Sequence, residues 1–195
     1  MSEAGYINYF EILGLDADAN PGEVRNTYRK KIKALRDAAG AATTEDRRAQ
    51  FILDMAKLNA SVFILRDQPK REAYWQERKA LIELEQRWRE QAAANADPEK
   101  NDGLRREFDS RARSFLSKYV EETMLEAGQD KDVAEGSGWN IFYARYALKL
   151  LRHYRHLLYH EILERLPFHA VTTPSIDWEE RKRTVSTLLE SAGAR

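Results

Sequence analysis

Three imidazoles stand close together in this chain, His153, His156 and His160. Spacings of three, four and seven residues put all three on one face of a helix, where a divalent metal could draw nitrogen ligands. Two features oppose that chemistry. Three ligands from a single helix rarely close a tetrahedron, and the neighbouring Lys149 and Arg152 repel a cation. No metal and no cofactor is therefore expected. His160-Glu161 begins the pattern of a zinc protease, but Glu164 stands where the second histidine belongs. The chain has no Gly-rich phosphate loop and no nucleophile elbow. It has no cysteine, which removes disulfides, thiolate zinc sites and cysteine nucleophiles together. The expectation is a protein that is not an enzyme, with an all-α enzyme or metal protein on the histidine helix as a distant rival.

The same histidines belong to a longer basic row. On a helix, Arg145, Lys149, Arg152, His153, His156, His160 and Glu164 group on one side, and Leu150, Leu151, Tyr154, Leu157 and Leu158 on the other. The apolar stripe reads as core. The polar side reads as a solvated face or, more sharply, as a second basic face for an acidic partner, an anionic lipid surface or RNA. A first basic row lies far upstream. Arg25, Arg29, Lys30, Lys33 and Arg36 flank an apolar stripe of Val24, Tyr28, Ile32 and Leu35.

Helices must position both rows. Asn20-Pro21-Gly22-Glu23 is a helix start, with Asn20 as cap and Pro21 at the first helical position. A polar loop is expected over Asp37–Thr44, then a helix through Phe51, Met55, Leu58, Val62 and Leu65. Asp67-Gln68-Pro69 starts another, running through Tyr74 and Trp75 to Leu81, Leu84 and Trp88. Ala92–Gly103 reads as a linker and Gln129–Gly138 as a loop. Further helices are expected over about 103–127, 139–166 and 176–191. The fold class is all-α, with residues 1–78 as one module, 79–100 as a helical extension and linker, and 101–195 as a C-terminal helical domain.

Bulk composition narrows the field. The 195 residues carry 32 basic and 32 acidic side chains, and zero net charge argues against a general nucleic-acid binder. With 33% charged residues, most helices should be amphipathic. The opening residues show no secretory leader and no stretch is apolar for about 18 residues, so a soluble, cytoplasmic protein is expected. Peripheral membrane contact stays open.

Three segments within the first 75 residues resemble a J-domain, the module by which DnaJ-type co-chaperones engage DnaK-type chaperones. Tyr9-Phe10-Glu11-Ile12-Leu13-Gly14-Leu15 is similar to the opening of the family's first helix. Glu23-Val24-Arg25-Asn26-Thr27-Tyr28-Arg29-Lys30 resembles its second helix. Leu65-Arg66-Asp67-Gln68-Pro69-Lys70-Arg71-Glu72-Ala73-Tyr74 resembles the end of the third helix and the fourth. The resemblance implies an antiparallel helical hairpin with short flanking helices, its seam closed by Tyr9, Ile12 and Leu13 in front and Tyr74 behind. It also implies that Arg25, Arg29, Lys30, Lys33 and Arg36 face a protein partner, a DnaK-type chaperone or another J-protein.

The departure matters more than the match. The family's His-Pro-Asp tripeptide, required for stimulating ATP hydrolysis, is replaced in register by Arg36, Asp37 and Ala38. Arginine has donors but no acceptor and cannot stand in for a neutral imidazole. Without proline the backbone loses its fixed turn and is free to extend the helix. The expected function is a J-domain-like adaptor that binds without activating. The rival is a structural subunit or scaffold that reuses the fold.

Overall fold

The computed structural model describes residues 6–39, 44–94, 98–164, 166, 182, 183 and 185. Among them every regular element is helical, so the chain is all-α. Local chemistry explains most of the helix ends. Helix α1 (Tyr9–Leu13) stops at Gly14, which takes the left-handed conformation at φ 68°. Helix α2 (Pro21–Ala39) begins on a capping box. There the Asn20 side chain accepts from the Gly22 and Glu23 amides, and Glu23 reaches back to the Asn20 amide. Thr44 caps α3 (Glu45–Leu65) and Asp67 caps α4 (Gln68–Ala93).

Helix α5 (Pro98–Leu116) runs without a break into a π-helical turn, Ser117–Glu122, and then α6 (Thr123–Gln129). Helix α7 (Lys131–Ser137) and helix α8 (Ile141–Glu164) follow. The π turn is placed by tertiary structure. The buried Tyr9 hydroxyl donates to the Tyr119 carbonyl inside it.

Helix α3 is the axle of the fold. Met55, Ala56 and every residue from Leu58 to Leu65 are buried, so this helix has no wet side over its last two turns. Helices α1, α2 and α4 cover part of it, and α6, α7 and α8 cover the rest. One hydrophobic cluster runs from Tyr6 to Leu166. At one end of that cluster Tyr9, Tyr74, Tyr119 and Phe115 stack together. The Tyr74 hydroxyl donates to Ile7 and accepts from the Tyr9 amide. Tyr9, Leu13 and Tyr74 are buried as expected, and Ile12 is half-buried.

Four expectations need correction. Helix α2 continues through Asp37 to Ala39 rather than giving way to a loop at Asp37. The expected Ala92–Gly103 linker is shorter, because α4 persists to Ala93 and α5 starts at Pro98 and passes through Gly103. The expected loop over Gln129–Gly138 contains helix α7, capped by Asp130, which accepts from the Val133 amide, and ended by Gly138 at φ 74°. Leu157 is 46% exposed and does not belong to the buried stripe of α8. The helix expected over 176–191 falls almost wholly outside the described residues.

Candidate docking groove

The first basic row lies along a groove of about 850 Å³ between α2 and α7. Arg25, Arg29, Lys33 and Arg36 form one wall. The floor is Tyr28, Ile32, Val62 and Val133, and the opposite wall carries Asp132 and Glu135. Lys30 does not line the groove. It sits farther round α2 than the other four, as the 100° step per residue requires. Arg66, which the sequence did not single out as a site residue, joins the lining from the end of α3.

A buried polar chain sets the two walls. The Tyr28 hydroxyl donates to Asn59 Oδ1 at 2.8 Å, and Asn59 Nδ2 donates to Ser137 Oγ at 3.2 Å. Ser137 Oγ donates to the Val133 carbonyl and accepts from the Trp139 amide. One run of hydrogen bonds thus ties α2, α3, α7 and the start of α8. Burial pushes the Tyr28 hydroxyl up to about 12. Asp130 supplies the second tie. One carboxylate oxygen caps α7, and the other takes the Arg66 guanidinium at 2.7 Å.

The electrostatics of the two walls differ. Arg66 is held by Asp130, with Asp132 at 3.6 Å. Arg25, Arg29, Lys33 and Arg36 have no ion-pair partner among the described residues. They span roughly 16 Å along α2 at about 1.5 Å per residue. Arg36, Asp37 and Ala38 occupy the last turns of that helix and are exposed. Arg36 lies beside Gly138, whose φ of 74° favours glycine and turns the chain after α7.

The second basic row sits on α8, which touches neither α2 nor α7. Arg145, Lys149, Arg152, His153, His156 and His160 are all exposed. Arg152 and the half-buried Arg155 both pair with Glu121 of the π turn, at 2.9 and 2.8 Å. His156 and His160 share a hydrogen bond at 3.0 Å between their Nε2 atoms. His156 also faces Arg113 and Arg155 across a cleft of about 400 Å³. No group of three metal-ligating side chains occurs among the described residues. A separate cluster joins α5 to α8, where Tyr159 donates to Asp109 and Arg113 pairs with the same carboxylate.

Sequence reasoning missed Asn59 and Ser137 because buried polar residues carry no periodic signal. It missed Asp132 and Glu135 because α7 read as a loop. No described helix is long and apolar enough to cross a membrane. Comparison with family models, curated proteins and solved structures gave no significant match.

Proposed function

We propose that this chain is a J-domain-like adaptor that docks an acidic protein partner in the groove between α2 and α7 without stimulating a DnaK-type ATPase. The observation that carries the reading is the row of Arg25, Arg29, Lys33 and Arg36, four cations on one helix face with no ion-pair partner among the described residues. Spaced three to four residues apart, they match the carboxylate spacing on one face of an acidic helix. The opposite wall, with Asp132 and Glu135, repels a polyanion such as nucleic acid and favours a partner of mixed charge. Arg36, Asp37 and Ala38 supply no imidazole and no proline-fixed turn, so the activating step has no chemistry at the expected place.

The test is steady-state ATP hydrolysis by a DnaK-type chaperone, with this protein alone and in competition with an active J-protein. The expected result is no stimulation alone and inhibition in the mixture, with the inhibition abolished by Arg29→Glu together with Lys33→Glu. Stimulation by this protein alone overturns the reading.

A second reading has its own support. Helix α3 is enclosed by α6, α7 and α8 as well as by α1, α2 and α4, so the J-like helices share their core with the rest of the chain. That integration suits a structural subunit of a larger assembly. No effect in either ATPase assay, with stable co-purification of one unrelated partner, selects it.

A further inference from the structure

Helix α8 has an outward face that the docking groove does not use. Ile141, Phe142 and Tyr146 are 63%, 73% and 52% exposed. Single exposed apolar residues are ordinary, but three large ones within two turns form a patch. Leu148, beside Ile141, and Leu157, beside Tyr146, stand at its two edges. Cations follow at helical spacing, with Arg145 four residues after Ile141 and Lys149 three after Tyr146. From Ile141 to His160 there is no aspartate or glutamate. The opposite side, with Ala147, Leu151, Leu158 and Ile162, is buried in the core.

The shape of this face selects its occupant. Ile141, Phe142 and Tyr146 stand out from the fold and line neither of the clefts described above. A lipid interface accepts such a shape. Its headgroup region takes aromatic and aliphatic side chains to a shallow depth while anionic lipids meet the cations set among them. Arg152 and Arg155 share the single carboxylate of Glu121, whereas Arg145 and Lys149 have no ion-pair partner among the described residues. We infer that the outward face of α8 is a peripheral contact for an anionic membrane surface. Ile141, Phe142 and Tyr146 enter the interface, and Arg145 and Lys149 lie against the lipid headgroups.

The experiment is flotation of the full chain with phosphatidylcholine vesicles, and with vesicles in which about a third of the lipid is phosphatidylserine. The expected result is flotation with the anionic vesicles only. Each near-surface cation strengthens partitioning about fivefold, so Arg145→Glu with Lys149→Glu should weaken it at least 25-fold. Phe142→Ser with Tyr146→Ser should abolish it. Both pairs are exposed, so circular dichroism should show an unchanged helix content. Three results overturn the inference. One is no flotation with anionic vesicles, and another is equal flotation with neutral ones. The third is a loss of the same size from Arg29→Glu with Lys33→Glu, which would mean non-specific attraction. A self-association in sedimentation that Phe142→Ser with Tyr146→Ser removes, without vesicle binding, would assign the face to a second copy instead.

Discussion

Helices α2 and α8 each carry a row of cations, and the two rows differ in what stands beside them. On α2 the cations wall a groove, opposite a helix that carries acid, over an apolar floor. On α8 they stand on an outward face among exposed aromatic side chains. On α8, Arg152 and Arg155 share the single carboxylate of Glu121. The four groove cations have no such partner among the described residues. Equal charge in the sequence therefore means unequal charge at the surface. A groove suits a folded partner, and an outward face with exposed aromatic side chains suits a lipid interface.

The largest test of this contrast lies within α8. Leu151→Ala on the inward side should cost about 2–5 kcal/mol, and Leu157→Ala on the outward side no more than about 0.5 kcal/mol. Urea denaturation of both variants measures the difference, and equal losses would mean that α8 is not seated as described. Next comes Gly128→Val at the junction of α6 with α8. Any Cβ there overlaps the Trp139 indole, so a loss of at least about 1–3 kcal/mol is expected. Because Trp139 leads from α7 into α8, docking and vesicle binding should weaken together.

Tyr28→Phe acts on the groove alone. It leaves the Asn59 carbonyl without its buried donor, a loss of about 1–3 kcal/mol at neutral pH. Its pH dependence has a definite sign. A hydroxyl raised from 10 to about 12 by burial favours the folded state fully below pH 10. That contribution is lost as pH rises from about 10 towards 12. Tyr154 on α8 is pushed up to about 12 by the same cause. Alkaline denaturation should therefore be shallower in either Phe variant and shallower still when both are changed, while the buried Tyr9, also raised, keeps part of the slope. The smallest effect belongs to Glu121→Gln. Stability should change by less than about 1 kcal/mol, while release of Arg152 and Arg155 should strengthen flotation with anionic vesicles.

The sequence was most legible where structure is local. Asn20 and Asp67 cap where their side chains suggest, because a cap needs only the next three residues. The row Arg25, Arg29, Lys33 and Arg36 follows from helical spacing alone. Helix α7 was hidden because only Val133 and Ala134 among its residues are apolar. It is held instead by the Asp130 cap and by Asn59, which is 78 residues away from Ser137. The stripe chosen for α3 was correct but incomplete. Ala60, Phe63 and Ile64 fill the other faces and point to burial on every side. The π turn had no local sign, since its carbonyl is met by Tyr9, 110 residues earlier.

The enclosure of α3 also sets a timetable. During synthesis α1, α2 and α3 emerge first, and the residues of α8 that complete the cover arrive about a hundred positions later. At about 5–20 residues per second, the nascent helix stays partly uncovered for roughly 5–20 s. A ribosome stalled before α8 would hold a chain with a greasy flank, itself a substrate for the cell's holding chaperones.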